Sequence, residues 1–138
     1  MRYKKQKGSN AERELVEKFW EKGFAAIRVA GSGVSKFPCP DVLASDGSLS
    51  FAVESKSYSG NYIHLKRGQI LQLLEFSQKF GAVPVVGIRF AKNDWYFFDM
   101  IKIQSTKGEN FKVTRKIASE DGKGFEELIE NYRKAQES

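Results

Sequence analysis

Apolar and polar positions recur along this chain with two different periods, and the places where the period changes mark its elements. From Ser9 to about Lys22, the apolar positions Ala11, Leu15, Val16, Phe19 and Trp20 keep a helical spacing. Ser9 followed three residues later by Glu12 has the form of a capping box, so the helix is predicted to open there and to stop at Gly23. Phe24 to Ala30 reads as a buried strand interrupted only by Arg28, and the stretch from Gly31 to Pro40, with two glycines and two prolines, reads as a loop. A short strand from Asp41 to Ser45 turns at Asp46-Gly47 and returns as Leu49 to Lys56. A helix follows from about Lys66 to Phe80 and ends at Gly81. AVPVVGIRFA and WYFFDMIKI are two strong strands around Lys92-Asn93-Asp94, and FKVTRKI is a weaker one. Phe125 to Gln136 closes the chain as an amphipathic helix with Phe125, Leu128, Ile129 and Tyr132 on one face.

The order α-β-β-β-α-β-β-β-α predicts an α/β (α+β) sandwich with a mixed central sheet flanked by helices. At 138 residues the chain suits a single domain over 1–138, with residues 1–8 as a flexible basic arm. No stretch is apolar for the roughly 20 residues a membrane span needs. The opening MRYKKQKGSN has no apolar segment behind its charges and is not expected to be a secretory signal. The lone Cys39 leaves no partner for an internal disulfide or a cysteine zinc site, and suits a reducing cytoplasm. Lysine and arginine exceed aspartate and glutamate, 23 to 17, for a formal net charge of +6, which favours a polyanionic partner.

The strand ending Val53-Glu54-Ser55-Lys56 raises a chemical question. Glu54 and Lys56 are two apart and fall on one face of the strand, with Ser55 on the other. A hairpin turning at Asp46-Gly47 brings Asp41, at the start of one strand, towards Glu54 and Lys56 at the end of the other. Two carboxylates beside a lysine suit a hard divalent cation such as Mg²⁺, which takes one or two carboxylates and keeps its other positions for water and phosphate oxygens. Such an ion polarises a phosphodiester and activates a water for in-line attack, while the lysine stabilises the charge that develops. The simpler reading also stands: an exposed Glu–Lys pair contributes about 0–1 kcal/mol as an ordinary ion pair, and Asp after Pro is a routine turn residue.

Pro40-Asp41 followed by Glu54-Ser55-Lys56 resembles the PD…(D/E)xK pattern of the restriction-endonuclease-like nucleases. Further stretches are similar to the archaeal Holliday junction resolvases: Ala11-Glu12-Arg13-Glu14-Leu15, Gly23-Phe24, Arg28 with Ala30-Gly31-Ser32, and Leu74-Glu75-Phe76-Ser77 with Phe80-Gly81. The similarity runs from about residue 7 to about residue 100. It implies a restriction-endonuclease-like core and an endodeoxyribonuclease that resolves four-way DNA junctions by metal-dependent paired nicks during recombination and repair. It implies Glu12 as a further metal-site carboxylate, Arg13 and Arg28 as phosphate-binding or catalytic, and Ser32 as a residue brought to the scissile phosphate. The expected catalytic set is Glu12, Ser32, Asp41, Glu54 and Lys56. The metal set is Glu12, Asp41, Glu54 and Ser55, holding Mg²⁺ or, as a substitute, Mn²⁺. An Arg inside an apolar strand needs a partner for its head group, which also marks Arg28 out.

The helix from Lys66 to Phe80 is apolar on more than one side, so Leu73, Phe76 and Phe80 are expected at a two-fold dimer interface; full burial within the monomer is the alternative. A four-way junction is itself two-fold symmetric. Lys4, Lys5, Lys7, Arg13, Arg28, Lys36, Lys66 and Arg67 are expected to contact DNA phosphates. Two other functions share the active-site residues or the fold: a nuclease for other branched or foreign DNA, and a branched-DNA-binding protein that does not cut. Recombination or replication proteins are expected as further partners.

Overall fold

The computed structural model describes residues 2–31, 36–106 and 110–137, with side chains for 10–31, 36–103 and 110–137. The elements are α1 (Arg2–Glu21), β1 (Ala25–Arg28), β2 (Val42–Ser45), β3 (Ser50–Ser57), β4 (Tyr62–Leu65), α2 (Arg67–Phe80), β5 (Val83–Ala91), β6 (Asp94–Asp99), α3 (Met100–Thr106), β7 (Phe111–Thr114), α4 (Arg115–Asp121) and α5 (Phe125–Glu137). Five strands form one mixed sheet in the order β1-β2-β3-β5-β6, with β3 and β5 parallel and every other pair antiparallel. Strands β4 and β7 form a separate two-stranded ribbon.

The pleat of the central strands divides the interior into two cores. Phe51 and Val53 on β3, Val85 on β5 and Phe97 on β6 pack with Leu15 and Phe19 of α1 and Leu128 of α5. Ala52, Val86, Ile88 and Phe98 turn the other way, against Ile70 and Leu73 of α2 and Phe111 and Val113 of the ribbon. Because successive strand residues face opposite sides, near-continuous apolar runs are what a sheet covered on both faces requires. Gly87 on β5 sits across from Ser55. A Cβ there would lie 2.8 Å from Phe97 Cε1 and 3.3 Å from Trp95 Cζ3, so the two rings occupy the space a side chain would take.

Several local expectations need correction. Helix α1 begins at Arg2, so residues 2–8 are helical rather than an arm and Ser9 lies inside the helix instead of capping it. Lysine, arginine and glutamine there are good helix formers, and the one glycine does not outweigh them. Trp20 is 58% exposed and lies outside the buried stripe of Ala11, Leu15 and Phe19; its indole donates to Ala26 O at 3.0 Å. β1 is an edge strand on which only Ala26 is buried. The expected strand WYFFDMIKI ends at Asp99, whose Oδ1 accepts from Ile101 N at 2.9 Å and starts α3. Likewise FKVTRKI stops after Thr114, whose hydroxyl accepts from Ile117 N at 3.2 Å and opens α4. Both are side-chain caps of the kind that favour helix over a continuing strand.

Candidate active site

The β2–β3 hairpin determines where the acids lie. Asp46 Oδ1 accepts from Ser48 N at 2.9 Å and Leu49 N at 2.7 Å, and Gly47 adopts φ +97°, which closes the turn. With that turn, Val42 faces Val53, so Asp41 and Glu54 stand one step beyond, at the open end. Asp41 is tied to both neighbours: its N–H donates to Val53 O at 2.9 Å and its carbonyl accepts from Val29 N at 2.8 Å. Its side-chain Oδ2 accepts from Ser55 N at 2.8 Å. Ser55 thus meets the acid through its main chain, and its side chain stands on the strand face opposite Glu54 and Lys56.

Glu54 is the most perturbed acid of the group. Burial is the largest cause, the Asp41 charge adds to it, and Lys56 opposes both; the carboxyl is pushed up to about 7. Lys56 Nζ stands 3.8 Å from Glu54 Oε2, a loose pair. Glu12 comes in from α1. Its pKa is raised, first by burial and also by Asp41, against a hydrogen bond from Arg28 that lowers it. That bond, Arg28 Nε to Glu12 Oε1, is 2.7 Å long. The Arg28 head group, exposed on the edge strand instead of buried as expected, has a carboxylate partner reached across 16 residues of sequence.

Three elements thus bring Glu12, Asp41, Glu54 and Lys56 to one end of the sheet. Among the described residues, no three histidine, cysteine or acidic side chains close into a complete metal cage. The donor set nevertheless fits a hard divalent ion. Asp41 and Glu54 supply the two carboxylates that Mg²⁺ ordinarily takes, and a cation there relieves the burial and mutual repulsion that raise Glu54. Glu12, facing Arg28, is a third carboxylate at the margin.

The other expected residues are placed less centrally. Arg13 is exposed, with Nη1 3.4 Å from Asn10 Oδ1, and its charge still lowers the pKa of Glu12. Lys36, Lys66 and Arg67 are exposed; Lys36 Nζ lies 6.0 Å from the Phe37 ring centre, and Arg67 N donates to Asn110 Oδ1 at 3.1 Å. Ser32, and the side chains of Lys4, Lys5 and Lys7, lie outside the described residues. Leu73 is only 6% exposed and packs in the second core, so it belongs to the monomer's interior and not to a surface patch. Phe76 and Phe80 stack with ring centres 5.1 Å apart, and with Phe37, Pro38, Glu75 and Lys79 they line a groove of about 360 Å³.

One residue that sequence reasoning passed over is central to the geometry. Glu14 Oε1 accepts from Asn93 N and Trp95 Nε1, both at 2.7 Å, and Oε2 accepts from Arg89 Nη2 at 3.0 Å. This carboxylate pins α1, and with it Glu12, to the β5–β6 end of the sheet. Its polar side chain two residues after Glu12 was a visible signal, but its partners lie 75 to 81 residues away.

A mixed sheet whose parallel β3 carries Glu54 and Lys56 beside an antiparallel strand led by Asp41 is a nuclease core of the restriction-endonuclease type. A bacterial homing endonuclease structure matches it in fold, at TM-score 0.52 and 13% identity over 96% of both chains. The chain belongs to the archaeal Holliday junction resolvase family, whose model (Archaeal holliday junction resolvase, hjc) matches residues 3–137. It is 39% identical over 130 residues to the crossover junction endodeoxyribonuclease Hjc of Archaeoglobus fulgidus, covering 89% of this chain and 95% of that one. The 1.6 Å structure of A. fulgidus Hjc matches at TM-score 0.76 and 36% identity, over 88% of this chain and 97% of that one.

Proposed function

We propose that this protein is a structure-specific endodeoxyribonuclease that resolves four-way DNA junctions by Mg²⁺-dependent paired nicks in opposed strands. The observation that carries this reading is the bond from Ser55 N to Asp41, which locks one acid beside Glu54 and Lys56 at the end of β3. Asp41 and Glu54 hold the ion, with Glu12 as an additional ligand, and Mn²⁺ can replace Mg²⁺. When bound, the ion polarises the scissile phosphate and lowers the pKa of water. Lys56 stabilises the charge growing on phosphorus, and Arg28 presents its guanidinium to a phosphate while keeping Glu12 in place. Arg13, Lys36, Lys66, Arg67 and the N-terminal lysines contact the backbone without reading sequence.

Paired cuts in a two-fold symmetric substrate call for two sites related by a two-fold axis. The exposed Phe37 and Phe80, with the half-buried Phe76 stacked on Phe80, form the apolar patch for such a homodimer. No helix among the described residues is long and apolar enough to cross a membrane, and we place the activity in the cytoplasm, where recombination or replication proteins are further partners.

The test is cleavage of a labelled synthetic four-way junction beside a matched linear duplex, with Mg²⁺ and then with EDTA. Metal-dependent nicks in two opposed strands, with the duplex intact, are expected. Tight junction binding with no cut would turn the site into a charge pair on a DNA-binding module, and equal cutting of other branched substrates would remove the junction specificity.

A further inference from the structure

Residues 57–74 and 110–119 contain Lys66, Arg67, Lys112, Arg115 and Lys116 and not one Asp or Glu. The fold joins these two segments as the β4–β7 ribbon and its flanks, with Tyr62 opposite Thr114 and His64 opposite Lys112. Leu65, Phe111 and Val113 point into the second core and Ile63 packs against it, while Tyr62, His64 and Lys112 face solvent. A surface of positive charge without acids of its own attracts a polyanion.

Two of these cations are held by aromatic rings. The Arg115 guanidinium lies 4.6 Å from the Phe90 ring centre and 5.3 Å from that of Tyr58, and those two rings are 4.4 Å apart. Lys112 Nζ lies 4.1 Å from the Tyr62 ring centre. Neither head group is paired with a carboxylate among the described residues. A guanidinium stacked on ring faces keeps its N–H donors around its edge, and its side-chain freedom is already restricted before a ligand arrives.

The position of the stack relates it to the site. Tyr58 lies two residues beyond Lys56, and its N–H donates to Arg89 O at 2.8 Å, so the β3–β5 ladder continues to it. Strand residues two apart share a face at a spacing of about 6–7 Å. Tyr58 therefore stands one side-chain step past Lys56 on the face that carries Glu54, and Arg115 lies against its ring and that of Phe90.

We propose that the Tyr58–Phe90–Arg115 stack and the Tyr62–Lys112 pair form a phosphate-binding surface, through which Arg115 and Lys112 hold the DNA backbone beside the scissile phosphate. This rests on the nuclease reading of the site and adds two contacts to it. The partner is the backbone of a duplex arm, because a fixed guanidinium edge and an ammonium suit phosphate oxygens and read no base.

The experiment is fluorescence-anisotropy titration of a labelled four-way junction and a linear duplex in EDTA, across a series of KCl concentrations. Arg115→Ala and Lys112→Ala are each expected to weaken binding by roughly 3- to 10-fold and to flatten the logarithmic salt slope by about 0.9. The double variant should lose both contacts, and Arg115→Lys should keep the slope while losing part of the affinity. Wild-type affinity and slope in the folded double variant would overturn the proposal. If Arg115→Ala fails to fold, Lys112→Ala decides, since its side chain is exposed on the ribbon. Should the wild type bind junction and duplex alike, the junction reading fails; the slope difference between wild type and variants still decides this surface.

Discussion

Arg28 Nε donates to Glu12 Oε1 at 2.7 Å, and that bond joins the edge strand β1 to helix α1 at the margin of the site. It gives the arginine a carboxylate partner beside the duty towards a phosphate that we propose for it. Arg28→Gln is expected to lower the cleavage rate about 100-fold at saturating junction, the scale of losing one preorganised donor to a developing charge. Arg28→Lys should recover only part of it, because an ammonium cannot span carboxylate and phosphate as a planar guanidinium does. Single-turnover rates check this, and an unchanged rate in Arg28→Gln would remove Arg28 from the machinery.

Asp41 is fastened to the Ser55 main chain, so a neutral isostere should keep the hairpin in place. Asp41→Asn and Glu54→Gln are expected to abolish Mg²⁺-dependent cutting while junction affinity in EDTA stays within about threefold of wild type, since phosphate contacts are spared. Parallel loss of affinity and cleavage in a folded variant would contradict the assignment.

Glu54 also predicts a pH dependence of the metal-free protein. Its folded pKa of about 7 lies above the ordinary 4.5, so between those values the folded state binds more protons than the unfolded one. Stability contributed by the neutral carboxyl is present below about 4.5 and is lost as pH rises through about 7. Beside burial, Asp41 just before β2, Lys56 from β3 and Glu12 from α1 are the charges that set this balance. Glu54→Gln should therefore stabilise the metal-free protein at pH 8 by about 1–3 kcal/mol and flatten its melting temperature between pH 5 and 7. Thermal melts in EDTA across that range are the check.

Glu14 behaves in the opposite sense. Burial pushes its carboxyl up, but hydrogen bonds from Arg89, Asn93 and Trp95 outweigh this and leave the pKa below the ordinary value. Its stabilisation is present above about pH 4.5 and is lost as pH falls through the lowered folded value. Glu14→Ala leaves Arg89, 17% exposed, without its partner, and is expected to cost about 3 kcal/mol. Calorimetric unfolding should show a smaller difference between variant and wild type at pH 3 than at pH 7.

The Phe76–Phe80 stack predicts the oligomeric state. Phe76→Arg should give monomers in sedimentation velocity that nick single strands but do not make paired cuts. A monomeric variant with full paired cutting would discard the dimer.

Much of this arrangement was legible in the sequence wherever the determining contacts are local. Asp46-Gly47 fixes the hairpin turn, and the turn fixes which residues face each other, so Asp41 and Glu54 follow from nearby chemistry. Helix α2 was readable from its apolar spacing and from Gly81, which takes φ +84° at its end. Tyr62–Leu65 carries no local strand signal, because its partner, Phe111–Thr114, lies far along the chain. The same holds for Glu14, whose donors come from β5 and β6, and for Leu73, which a helical stripe alone cannot assign to core or interface. The start of α1 is hidden in the sequence because a capping pattern at Ser9 also fits the inside of a longer helix.

Gly87 has a consequence for how this sequence can change over generations. Its missing side chain is what lets Phe97 and Trp95 lie against β5, and Trp95 is also a donor to Glu14. A single added methyl would thus reach, through one ring and one carboxylate, the helix that presents Glu12. Gly87→Ala requires the Phe97 ring to move or to be replaced by a smaller side chain. For a descendant lineage, a side chain at position 87 is therefore tied to what stands at position 97.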